Sequence, residues 1–117
     1  MTTAQELDRQ FAACRPLFIA LGDEVRLSIV RALVEEAFAH SPQPGPIQFE
    51  RWGLNVNEIT SRTSLSRPAI SHHLKILKDA GLVDIRQEGT ANYYFLTLRE
   101  VNRTLMNLGY KLEEFMY

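Results

Sequence analysis

The 117-residue sequence holds one cysteine, Cys14, so no internal disulfide can form. A disulfide-stapled scaffold is excluded and a reducing, cytoplasmic setting is expected. No apolar run approaches the ~18 residues that a membrane-spanning helix needs, so an integral membrane protein is excluded. The opening MTTAQELDRQ carries acids and no apolar core, which argues against a secretory signal. Net charge is almost absent: 13 Lys+Arg against 14 Asp+Glu leaves −1. Proline is scarce too, with 5 in all. Pro42, Pro44 and Pro46 fall in one stretch, HSPQPGPIQFERWG from His40 to Gly53, through which no helix can run. There is no internal repeat. What remains is an ordinary globular composition, 45% apolar and 23% charged, at a length suited to one domain.

Residues 3–39 read as N-terminal helices. The first spans Thr3 to Cys14, with Leu7, Phe11 and Cys14 on one face. Phe18 and Leu21 continue that spacing, but Pro16 predicts a break or kink. Gly22 stops it, and Asp23 caps a second helix over Glu24 to Ala39, striped by Val25, Ile29, Ala32 and Leu33. Residues 40–53 are the proline-rich insert.

Residues 54–81 begin with Leu54 as a very short strand. A short helix from Val56 to Arg62 follows, with Asn55 and Glu58 as a capping pair. Thr63-Ser64-Leu65 turns, and a second helix runs from a Ser66 cap, through Pro68 in its first turn, to Gly81. Residues 82–97 form a hairpin, Leu82 to Gln87 and Asn92 to Thr97, turning at Glu88-Gly89-Thr90. The last helix, residues 98–117, starts at a Thr97/Glu100 capping pair. It spaces Leu98, Val101, Leu105, Leu108, Leu112 and Phe115 by threes and fours.

A short helix, a three-residue turn, a second helix and a hairpin make a winged helix-turn-helix, mostly α with a small β-hairpin. Charge is concentrated at the same place. From Thr60 to Lys78 there are Arg62, Arg67, Lys75 and Lys78 and no acid, so the rest of the chain carries 9 − 14 = −5. Phosphate binding requires such a concentration. With Ile70, Leu74 and Leu77 facing inward at 100° per residue, Pro68, His72 and Lys75 face away, flanked by Ala69 and Ser71. These donors and small apolar surfaces suit base edges and thymine methyls in the major groove. Arg67 opens the helix, and Ser66 with the free amides beside it suits a phosphate. Double-stranded DNA is the expected partner.

The stretch LGDEVRLSIVRAL, and still more LSRPAISHHLKILKDAGLV followed by a YYFL strand, resembles the ArsR/SmtB family of winged-helix repressors. The likeness covers about Phe18 to Leu96, interrupted by the insert. It implies a homodimeric transcriptional repressor on a palindromic operator, dimerising through its outer helices. The 3-4 spacing on both terminal helices independently suggests a seam of Leu98, Val101, Leu105, Leu108, Leu112 and Phe115, with Leu7, Phe11 and Phe18 as partners.

The chain also departs from its relatives. Metal sensors of the family place cysteines on the short helix, or His and carboxylates on the last one. Here the short helix reads Val56-Asn57-Glu58-Ile59-Thr60-Ser61, and Arg99 to Tyr117 has neither His nor Cys. No metal site and no cofactor are expected. His72 and His73 point about 100° apart, which hinders sharing one ion. His72 reads as an operator contact, His73 as a packing residue and His40 as solvated, while Cys14 reads as a buried, inert thiol or, beside Arg9 and Arg15, as a redox sensor. The wing tip has little basic charge: Arg86 suits a phosphate, and Thr90 and Asn92 offer polar contacts. The aromatics of the insert, Phe49 and Trp52, read as tucked against the core, or as part of a lid over an effector pocket; the effector is unknown. No nucleophile–base pair, glycine-rich phosphate loop or metal cluster supports an enzyme. The alternative reading is a winged-helix module for protein–protein assembly with no specific DNA site.

Overall fold

The computed structural model describes residues 3–116. Tyr117, the end of the expected last helix, lies outside the described residues, as do residues 1 and 2. Helix α1 spans Ala4–Leu21 behind a capping box, in which Glu6 N donates to Thr3 Oγ1 at 3.1 Å and Thr3 N donates to Glu6 Oε2 at 3.3 Å. Of the break or kink expected at Pro16, the break does not occur: α1 is continuous through it. Proline removes the amide that would pair with the Ala12 carbonyl. Ala12 and Pro16 both face outward, where water can take up that carbonyl.

Helix α2 (Glu24–Ala39) is capped by Asp23, whose Oδ1 accepts from the amides of Val25 and Arg26 at 2.9 and 3.0 Å. The insert contains a single 3-10 turn, Phe49–Arg51, before β1 (Leu54–Asn55). Phe49 packs against the core, while Trp52 stacks on His40 with ring centroids 4.4 Å apart. His40 is thus exposed but not merely solvated: it also meets Glu36 at 3.1 Å.

Helix α3 (Val56–Ser61) has the expected capping box, with Glu58 N donating to Asn55 Oδ1 at 2.8 Å and Asn55 N to Glu58 Oε1 at 3.0 Å. Helix α4 (Arg67–Asp79) ends before Gly81, which takes the left-handed φ of +80°. Strands β2 (Val83–Glu88) and β3 (Ala91–Leu96) form the wing. Its turn is the two residues Gly89-Thr90, one residue tighter than the expected Glu88-Gly89-Thr90 because Glu88 pairs with Ala91, with Gly89 at φ +62°. Glycine at the first position of such a turn lets the backbone follow the strand twist. The very short strand at Leu54 is real. It pairs with Tyr94, so the hairpin becomes a three-stranded antiparallel sheet in the order β1-β3-β2. A Cβ at Gly53 would lie 2.6 Å from the Tyr94 carbonyl oxygen, so only glycine lets the insert rejoin the sheet here.

Ile29 and Leu33 of α2 meet Leu54, Ile59, Ile70, Leu74, Leu77, Val83 and Leu96 in one core. Helix α5 (Arg99–Glu113) follows, and its start differs from expectation. Leu98 occupies the cap without a side-chain bond. Thr97 instead donates its hydroxyl to the Gly81 carbonyl at 3.1 Å, and Glu100 pairs with Arg103 at 3.5 Å.

Helix α5 packs along α1. The Cys14 thiol is fully buried there and donates to the Thr104 carbonyl at 3.7 Å. The packing divides the expected seam. Leu108 is buried within the chain, and Leu98 and Val101 join its core. Leu7 and Leu112 are half-buried, whereas Phe11, Phe18, Leu105 and Phe115 stay exposed. Met106, Tyr110 and Met116 add a second exposed apolar face to the C-terminal segment. Among the described residues, no helix is long and apolar enough to cross a membrane.

Candidate nucleic-acid interface

Helix α4 sorts its residues as the 100° rotation requires. Ile70, Leu74 and Leu77 are buried to within about 1% of their surface. Ser66, Arg67, Pro68, Ser71, His72, Lys75 and Lys78 are exposed, and Ala69 lies half-buried between the faces. Ser66 stands at the cap position with no side-chain capping bond, so its hydroxyl and the first-turn amides remain open.

The start of α4 does not stand alone. Arg67 donates from Nη1 to Asn57 Oδ1 on α3. Asn55 and Asn57, Arg67, and Thr90 and Asn92 of the wing tip surround one polar groove of about 330 Å3. Arg67 and Thr90, expected separately, are therefore neighbours. Asn57 was not among the expected site residues. It is ten positions from its partner, and no local pattern marks it.

Lys75 pairs with Asp79 one turn on at 2.9 Å. Both side chains are about two-thirds exposed or more, so the pair is weak and leaves the ammonium available to a phosphate. Two other expected contacts are committed elsewhere. Arg62 donates to Glu36 Oε1 on α2 at 3.1 Å. Arg86 donates to Glu88 Oε1 at 2.9 Å, and to the carbonyls of Glu50 and Arg51 at 2.9 and 3.2 Å. Its guanidinium also lies 5.3 Å from the Phe95 ring centroid. Arg86 thus ties the wing to the insert.

Behind the interface, His73 is half-buried and faces Arg26, with Nδ1 3.2 Å from Nη1. A guanidinium only donates, so His73 Nδ1 accepts. Arg26 also donates to the carbonyls of Ala20 and Ile19 at 2.7 and 3.2 Å, joining the end of α1 to α4. The amide bond from Arg26, helped by its guanidinium, holds the Asp23 carboxyl below the usual aspartate value. Among the described residues no group of three or more His, Cys, Asp or Glu could hold a metal ion.

The sequence profile of bacterial regulatory proteins of the arsR family matches residues 51–84, which include α3, its turn, α4 and the start of β2. The chain is 31% identical to the transcriptional activator HlyU of Vibrio cholerae over 92% of its own length and 84% of that protein's. It is 32% identical to the arsenical resistance operon repressor of Bacillus subtilis, over 88% of this chain and 81% of the relative. The chain belongs to the ArsR family. An ArsR-like transcriptional regulator from Rhodococcus sp. RHA1 superposes with a TM-score of 0.66 at 27% identity, covering 90% of this chain and 82% of the other. This ArsR-family protein is accordingly a DNA-binding transcriptional regulator and not an enzyme. In it, α3 and α4 are the helix-turn-helix, and the β2–β3 hairpin is the wing.

Proposed function

We propose that this regulator is a homodimeric repressor that reads a palindromic operator with α4. The observation that carries the reading is the division of α4, with its apolar residues wholly inside and Arg67, Ser71, His72 and Lys75 outside. Arg67, steadied by Asn57, and His72 contact base edges, and Ala69 and Ser71 line the approach. Ser66 and Lys75 hold phosphates. Thr90 of the wing tip reaches the backbone beside Arg67. Arg62 and Arg86 are struts in the free protein, and we assign them at most a rim role.

A second copy covers the exposed residues along α1 and α5, chiefly Phe11, Phe18, Leu105, Met106, Tyr110 and Phe115. Among the described residues, eight of the ten exposed large hydrophobic residues lie on α1 or the C-terminal segment, which favours a covered surface there over a solvated one. The Bacillus relative is a repressor and the Vibrio relative an activator; a promoter fusion with and without the protein decides the sign here.

The test is to sequence DNA fragments retained by the purified protein, then titrate the shared motif and a scrambled duplex at two salt concentrations. A two-fold motif with steeply salt-dependent affinity supports the reading. Fragments with no common motif and salt-independent retention overturn it in favour of a protein-assembly module. The effector is not zinc, cadmium or nickel: each is expected to leave operator affinity unchanged. Stoichiometric binding of any of them that abolishes operator binding would sink that part.

A further inference from the structure

The 3-10 turn of the insert, the end of β3 and the start of α5 enclose a hollow of about 450 Å3 that neither DNA contact nor dimer contact uses. Its size falls within the ~300–1,000 Å3 of small-molecule sites. Ile47, Phe49, Leu96 and Leu98 give it apolar walls. Phe49 is held in place by the core and by an edge contact with Phe38, with ring centroids 6.3 Å apart.

The charged residues of the lining are Arg51, Arg99 and Glu50. Among the described residues, no carboxylate pairs with either arginine: the arginine ion pairs belong to Arg62, Arg86 and Arg103. Arg51 rests over the Trp52 ring, 5.2 Å from its centroid. Two guanidiniums against one carboxylate leave a single positive charge beside an apolar surface. One further carboxylate on an apolar body completes both features.

We propose that this hollow binds a small amphipathic monocarboxylate, its anion engaged by Arg51 and Arg99 and its apolar body lying against Ile47, Phe49 and Leu98. Arg86 of the wing grips the Glu50 and Arg51 carbonyls, so one wall of the hollow is fastened to the wing. Occupancy therefore bears on the wing and on the first turn of α5 together. That regulatory consequence rests on the DNA-binding reading; ligand binding itself does not.

Trp52 is the chain's one tryptophan, so its emission reports on Arg51. The experiment titrates the full chain with octanoate and with octan-1-ol, following Trp52 fluorescence and heat. Saturable octanoate binding is expected, at least about tenfold tighter than octan-1-ol, the margin of one charge-assisted contact. Arg99→Gln is expected to weaken octanoate at least about tenfold, whereas Glu50→Gln tightens it. Arg51→Gln alters Trp52 emission by itself, so heat decides that variant, with the same expected loss. No saturable signal from octanoate up to about 5 mM, octan-1-ol binding equally well, or undiminished binding by Arg99→Gln overturns the site. Duplex titrations run beside it. Octanoate binding without any duplex binding supports the site and overturns the DNA-binding reading. Duplex binding without octanoate binding does the reverse.

Discussion

Helices α4 and α5 are of similar length, 13 and 15 residues, and both are amphipathic, yet they finish differently. Helix α4 leaves nothing large and apolar exposed; Ile70, Leu74 and Leu77 all vanish into the core. Its outer face is polar and basic. Helix α5 fully buries Leu108 alone among its residues and shows Leu105, Met106 and Tyr110 to the outside. A helix whose apolar side is satisfied and whose outer side is rich in donors is complete as part of one chain, and it suits a polyanion. A helix apolar on two sides is incomplete in one chain, and it suits protein. The same periodicity thus serves two partners, and what separates them is which residues the chain's own core covers.

The largest effects come from breaking the inner side of α4. Leu74→Ala is expected to cost about 2–5 kcal/mol, because it removes a fully buried side chain and leaves a cavity. Its neighbour Lys75→Ala is expected to leave the Tm nearly unchanged while weakening DNA. Chemical denaturation of the two variants checks this. Equal stability losses would mean that the two sides of α4 are not distinct.

Next in size is the dimer. Leu105→Asp with Tyr110→Asp places charges on residues exposed in one chain, so a folded monomer of the 13.4 kDa chain mass is expected in sedimentation. Leu108→Asp buries a charge within the chain and should unfold it instead. A parent protein that sediments as a stable monomer, or a double variant that stays dimeric, would refute the assignment of α5.

Smaller effects belong to the outer side of α4. Arg67→Ala and His72→Ala are each expected to lose about 1–3 kcal/mol on the operator and to relax discrimination at one base pair. Ser71→Ala should lose less. Asn57→Ala is expected to weaken the operator in the same sense as Arg67→Ala, since it frees that guanidinium. Lys75→Ala should weaken all sequences alike and lower the salt slope by about 0.9 per phosphate in each subunit. Arg31→Ala, on an exposed position of α2, is the control. If Arg67→Ala, His72→Ala and Lys75→Ala bind operator and scrambled duplex like the parent with folds intact, α4 does not enter the groove.

Much of this fold was legible in local spacing. The Asn55/Glu58 box, the stop at Gly81 and the inward face of α4 each depend on residues within a few positions, and each formed as read. Readings failed where the deciding partner lies far along the chain or where exposure matters. Pro16 does not break α1, because the carbonyl it frees faces outward. Thr97 looked like a cap, but the Gly81 carbonyl claims its hydroxyl from sixteen residues away. For Arg86 the local pattern showed a cation near the wing tip but not its partners in the insert, which lie 35 and 36 residues upstream. The spacing of Leu98 to Phe115 identified an apolar stripe correctly. It did not say which members α1 and the core would cover, and it passed over Met106 and Tyr110 on the other face.

The smallest expected effect concerns the joint between the two regions. Asp23 holds the amides of Val25 and Arg26, and the Arg26 side chain runs from the carbonyls ending α1 to His73 of α4. The Asp23 carboxyl sits below its ordinary value chiefly because it accepts the Arg26 amide, with the Arg26 charge adding to the effect. A group whose pKa is lowered on folding contributes stability above the unfolded value, about 3.9 for aspartate, and loses it as pH falls through the folded value. Asp23→Ala is therefore expected to lower the Tm by the same small amount from pH 8 down to about pH 5, with the difference narrowing below about pH 4 to what a neutral acceptor supplies. Asp23→Asn keeps an acceptor for the amides without the charge, so it should recover most of the loss and show no pH dependence of its own. Thermal melts of the three proteins across that range check the sign. A difference that widens as pH falls would mean that the Asp23 carboxyl is stabilised in its protonated form, and that the joint does not depend on its charge.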